Sequence, residues 1–167
     1  AIRFIPNYYQ AYSNLAVSYL KKKLPEKAIE ACIKAIEINP SYAYAYSNLG
    51  YAYLEKGMSK EAEAACYKAI DLNPGIPEPH NHLGIILERE ERIDEAKAEY
   101  LKAIELNPDY PEAHFNLANL YFKKDLFPES ALHYKKVIEI KPLFAQAYNN
   151  LAIIYYRQKN YSLAWEN

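Results

Sequence analysis

The chain has 167 residues, 25% of them charged and 51% hydrophobic, with a formal net charge of −1. That length can bury a substantial core, and the near-neutral balance gives no overall field favouring nucleic acid or an anionic membrane. The apolar residues never run to eighteen in a row, so no insertion into a membrane is expected. The start shows no signal-peptide pattern, and because it opens on Ala1 rather than Met the chain reads as a piece of a longer protein.

Organisation comes from a series of prolines. Pro6, Pro40, Pro74, Pro108 and Pro142 recur at a constant interval of 34 residues, the mark of a stacked repeat array. Residues 1–8 read as the tail of an earlier helix, since Ala1, Ile2, Phe4 and Pro6 match Ala35, Ile36, Ile38 and Pro40. The first frame, 9–42, holds two blocks of apolar residues at three- and four-residue spacing. These predict a helix A from Tyr9 to Lys22 and a helix B from Glu26 to Ile38. Frames 43–76, 77–110 and 111–144 repeat the plan, and 145–167 begin a fifth, so the whole chain is expected to be one array. Asn39-Pro40, Asn73-Pro74, Asn107-Pro108 and Lys141-Pro142 end the B helices, because proline can neither continue a helix nor leave its predecessor helical. Pro77, Pro111 and Pro128 fall in first turns, where a missing N–H costs little. Gly57 and Pro25 mark turns within a repeat.

The frames resemble the tetratricopeptide repeat, whose signature is an aromatic, Leu-Gly, Tyr, then Ala, an aromatic, Ala and Pro. The first reads Tyr12, Leu15, Ala16, Tyr19, Ala28, Cys32, Ala35, Pro40, and the second Tyr46, Leu49, Gly50, Tyr53, Ala62, Cys66, Ala69, Pro74. The third reads His80, Leu83, Gly84, Leu87, Ala96, Tyr100, Ala103, Pro108. In the fourth, Ser130 and Val137 replace two alanines and His114 the aromatic, which predicts looser packing there. The resemblance implies an all-α solenoid of stacked antiparallel helix pairs, a right-handed superhelix whose concave side is lined by A helices.

It also implies where a partner lies. The sixth position of each frame faces the groove: Asn14, Asn48, His82, Asn116 and Asn150. A carboxamide offers both a donor and an acceptor to an extended peptide. With A helices about 10 Å apart and a strand rising about 3.3 Å per residue, each would meet every third peptide residue. This is similar to the asparagine ladder in the repeats of O-GlcNAc transferase. The same face is expected to expose Ser13, Val17, Lys21, Tyr44, Ser47, Tyr51, Asn81, Ile85, Phe115, Asn119, Gln146, Asn149 and Ile153, with Tyr51 and Phe115 as aromatic anchors. Lys21, Arg89, Lys123 and Arg157 nearly balance Glu55, Glu78 and Glu112, so the expected ligand is a mixed peptide with scattered acidic residues. The carboxylate clamp that related domains use for chaperone tails is not expected, because Ser13, Val17, Asn48, Glu78 and His82 occupy its sites.

No catalytic group is expected. His80 and His82 point different ways on one helix, and neither a metal site, a cofactor nor a nucleophile with its base is assembled. Cys32 and Cys66 read as buried thiols in the cytoplasm or another reducing compartment. The expected function is a non-catalytic protein- or peptide-binding module. The alternatives are a head-to-tail self-assembling scaffold and a substrate-recruiting part of a larger enzyme.

Overall fold

The computed structural model describes residues 8–158 and contains, among these, nine α-helices and no strand. Of the tail of an earlier helix expected at 1–8, residues 1–7 lie outside the described residues and Tyr8 instead opens the first described helix. The fifth repeat's helix B also lies outside them. The chain divides into two compact units, 1–92 and 93–167. The first contains α1 (Tyr8–Lys21), α2 (Pro25–Ile38), α3 (Ala43–Glu55), α4 (Ser59–Leu72) and α5 (Glu78–Arg89). The second contains α6 (Ile93–Leu106), α7 (Pro111–Lys123), α8 (Phe127–Ile140) and α9 (Ala145–Arg157).

The turn between helices A and B has one construction throughout. Lys23, Gly57, Glu91 and Asp125 all lie in the left-handed region, at φ 57°, 80°, 63° and 57°. They occupy the same frame position, but only one is glycine. Around each, the backbone closes a Schellman motif: Leu24 N–H donates to Tyr19 and Lys23 N–H to Leu20, with matching pairs around Met58, Arg92 and Leu126. Two N–H groups and two carbonyls are thereby satisfied at each turn without a side-chain cap on the next helix.

The turn from B to A uses the asparagine before each proline. Asn39, Asn73 and Asn107 accept, through Oδ1, the N–H two residues on, from Ser41 at 3.1 Å, Gly75 at 3.0 Å and Asp109 at 3.1 Å. These Asx turns reverse the chain while proline stops the helix. Lys141 cannot make one.

The two units fill their cores differently. In the first, Ala16, Ala28, Ala31, Cys32, Leu49, Ala52 and Ala65 form a small-residue cluster, closed over by Tyr19, Leu20, Ile29, Ile36 and Tyr53. Close approach of the helices leaves room for little else: a Cβ on Gly50 would stand 2.5 Å from Cys66 Sγ and 3.1 Å from the Ala62 carbonyl oxygen. In the second unit, Tyr134, Leu151, Ile154 and Tyr155 are core residues, packed by Phe115, Phe122, Phe127 and Phe144. The looser packing expected around Ser130 and Val137 is not found. Both side chains are fully buried, and Ser130 Oγ donates to the Ala118 carbonyl at 2.8 Å, so the hydroxyl replaces a methyl contact with a hydrogen bond.

Candidate functional site

The A helices of the first unit, α1, α3 and α5, are each followed by an antiparallel B helix or lie beyond one, so they run in one direction. Residues three and four apart on each face the same way. Ser13, Asn14, Val17, Leu20 and Lys21 from α1, Tyr44, Asn48 and Tyr51 from α3, and Glu78 and His82 from α5, with Tyr42 ahead of α3, line one open depression of about 430 Å³. Nine of these eleven were anticipated from the repeat frame. Leu20 and Tyr42 were not. Tyr42 sits in the B-to-A turn, where the helical frame assigns no inward face, and its ring lies 5.7 Å from that of Tyr44 and 4.8 Å from that of Tyr9.

The floor of this depression is held by bonds between repeats. Asn48 Nδ2 donates to Ser13 Oγ at 3.0 Å, and Ser47 Oγ meets His82 Nδ1 at 3.2 Å. Each joins the sixth position of one frame to the fifth of the preceding one. Ser13 and Ser47, expected to be exposed, are therefore buried at 2% and 1% exposure, and Asn81 at the same frame position is buried at 3%. In these three frames the fifth position packs between neighbouring A helices, with Ser13 also bordering the depression.

The Asn48 carboxamide is thus held through its nitrogen by Ser13. Asn14, exposed, keeps its side chain in solvent. His82 stacks on Tyr51 with ring centroids 4.9 Å apart and planes at 15°. Burial pushes its pKa down to about 4, partly offset by its bond to Ser47, so it is a neutral ring at pH 7.

Charge on this face is unevenly consumed. Arg89 donates to the Leu54 carbonyl at 3.0 Å and to Glu55 Oε1 at 3.3 Å. Glu78, at the start of α5, has Oε2 buried and without a hydrogen-bond partner.

In the second unit the expected site residues are placed differently. Asn150 Nδ2 donates to Asn119 Oδ1 at 3.2 Å and to Tyr134 Oη at 3.0 Å, and Tyr134 in turn donates to Asn119 Oδ1. Phe115 is half-buried, its ring 4.9 Å from Phe144 and 5.7 Å from Tyr134, so it packs against the core and is not an exposed anchor. Asn116 is half-buried and Asn149 exposed. Glu112 pairs with Lys141 at 2.6 Å, and Arg157 lies over the Phe122 ring at 5.0 Å.

A contact outside the groove was not anticipated. His114 Nδ1 and His133 Nδ1 lie 2.9 Å apart, with His114 Nε2 bonded to the Pro108 carbonyl at 3.0 Å. Burial, and then the neighbouring ring, push His133 down to about 4. Among the described residues no group of three or more His, Cys, Asp or Glu could hold a metal. Cys32 and Cys66 are fully buried and not joined in a disulfide, and burial raises the Cys32 thiol to about 12. Among the described residues no helix is long and apolar enough to cross a membrane.

No curated protein matches the sequence. Solved structures do. The chain is similar to the pilF protein of Pseudomonas aeruginosa, with 23% identity, a TM-score of 0.84, and 96% of this chain and 73% of that one covered. A thermophilic TPR protein of Thermus thermophilus is 25% identical, with a TM-score of 0.79 and 92% and 84% covered. YrrB, described as a TPR protein with an unusual peptide-binding site, is 28% identical, with a TM-score of 0.62 and 93% and 80% covered. Family models described as tetratricopeptide repeat match residues 9–42, 43–76, 111–142 and 133–166, and one described as TPR repeat matches 89–125. With A and B helices alternating along its described residues and repeat models spanning most of its length, the chain belongs to the tetratricopeptide repeat family.

Proposed function

We propose that this chain is a protein-interaction module that receives an extended peptide in the groove of its first unit. The observation that supports this most directly is the convergence of α1, α3 and α5 on one open depression of about 430 Å³. Its walls combine aromatic faces from Tyr42, Tyr44 and Tyr51 with polar groups on successive helices, the mix of apolar area and few placed polar atoms that binding sites use. The Asn48 carboxamide is already oriented by Ser13, so little side-chain freedom is lost when a peptide backbone bonds to its other end. Similarity to YrrB, described as having a peptide-binding site, agrees with this reading.

The test is selection of a random dodecapeptide display library on the purified chain, followed by fluorescence anisotropy with an enriched peptide. Asn14→Ala and Tyr51→Ala should each weaken that peptide about tenfold, the effect of losing roughly 1.4 kcal/mol. Absence of enrichment, or full affinity in both variants, would reject the groove as the binding site.

A further inference from the structure

Within that peptide-binding reading, on which it rests, we propose that the groove of the first unit selects a basic side chain, lysine or arginine, and that Glu78 receives it. The Oε2 atom of Glu78 is shut off from solvent yet accepts no hydrogen bond. Buried polar atoms without partners are rare in folded proteins, and this one belongs to a residue that lines the open depression, where a turn of the side chain brings the carboxylate to a donor from outside. The donors of this face do not serve it. Arg89 is bound to Glu55 and to the Leu54 carbonyl. Lys21 ends α1 whereas Glu78 begins α5, and the two helices run in one direction, so the ammonium stands at the other rim of the groove.

The surroundings of Glu78 favour a cation over other donors. Tyr44 is beside it: the phenol is held above its ordinary pKa by burial and then by the negative charge of Glu78. Tyr42 and Tyr44 present two tilted rings 5.7 Å apart, and the faces of aromatic rings attract ammonium and guanidinium groups. A lysine or arginine stem is apolar along most of its length and can lie on such rings while its head reaches the carboxylate. A hydroxyl or amide donor would bond the oxygen but leave its charge unbalanced. An acidic side chain would meet a carboxylate and two electron-rich rings. The sequence-based expectation was a mixed ligand with scattered acidic residues, from four cations nearly balancing three carboxylates. Arg89 and Glu55 pair with each other, which leaves Glu78 as the carboxylate that a basic residue would meet.

The experiment compares library selections on the wild-type chain, Glu78→Gln and Glu78→Lys, each first shown to be folded by circular dichroism and urea unfolding. The wild type should enrich lysine or arginine at one position relative to an otherwise constant pattern. Glu78→Gln should lose that enrichment while keeping the rest, and Glu78→Lys should replace it with aspartate or glutamate. An enriched peptide should bind Glu78→Gln at least tenfold more weakly, and replacing its basic residue by norleucine should cost nothing further in that variant. Enriched peptides without a basic position, or a basic preference that survives both variants, would overturn the role of Glu78 and leave the peptide-binding reading standing. No enrichment by the wild type would overturn both.

Discussion

The two units carry the same repeat plan, yet asparagines at the same frame position meet different fates. In the first unit Asn48 finds only Ser13 at the preceding repeat, and the positions that could bond it further are Val17 and Cys32. In the second unit those positions hold Asn119 and Tyr134, and both engage Asn150. The phenol of Tyr134 spans the distance that a thiol cannot, and Phe115 takes the place filled by Ser13 and Ser47 in the first unit. One unit therefore keeps a partly free amide above a depression, and the other folds its amide into a network. A groove-facing asparagine is a binding group only when the residues behind it leave it one.

The contrast can be broken most strongly at Tyr134. Its side chain is fully buried, so Tyr134→Ala should destabilise the second unit by about 3–5 kcal/mol, read as a fall in the urea midpoint. Tyr134→Phe keeps the ring and removes only the hydroxyl, and should cost about 1–3 kcal/mol while leaving Asn150 held by Asn119 alone. If Phe is neutral, the network contributes nothing and the difference between the units lies elsewhere.

Acid should act on both units through neutral histidines. The folded pKa values of His82 and His133 lie near 4, below the roughly 6.5 of an unfolded histidine. Between those values the unfolded chain binds more protons than the folded one, so stability is complete above about pH 6.5 and declines toward pH 4. The loss should be on the order of 1–3 kcal/mol per ring. His82→Asn should flatten the first unit's share, leaving that of His133; an unchanged slope would place the acid sensitivity outside the groove.

Packing in the first unit is tested at Gly50. A methyl there would strike Cys66 Sγ, so Gly50→Ala should cost about 1–3 kcal/mol, and less in a Cys66→Ala background. Equal costs in both backgrounds would mean that the Ala62 carbonyl, not the thiol, sets the limit. The smallest effect is expected from Asn48→Ala, about 1 kcal/mol of stability through loss of its bond to the buried Ser13 hydroxyl, detectable by thermal unfolding.

Much of the fold was legible because it is written in local terms. The proline interval and the apolar spacing marked the frames, and the alanine and glycine positions followed from close helix approach. The left-handed residues were not legible as a class: Gly57 stands out, whereas Lys23, Glu91 and Asp125 look like ordinary polar residues. The Schellman bonds hold them there, and such bonds depend on the backbone more than on the side chain. The His114–His133 contact joins α7 to α8 across a gap of nineteen residues and left no motif to recognise.

By itself the sequence determined the repeat, its two-helix unit and which residues of the A helices share a face, since periodicity fixes direction around a helix axis. Only the tertiary structure decided which of those residues have their polar atoms taken up by neighbours and which do not. Whether Asn48 or Asn150 keeps a free end, whether Arg89 offers its charge and whether Glu78 lacks a donor depend on partners about one repeat away. Those distances are set by how helices pack, and no spacing within a single helix records them.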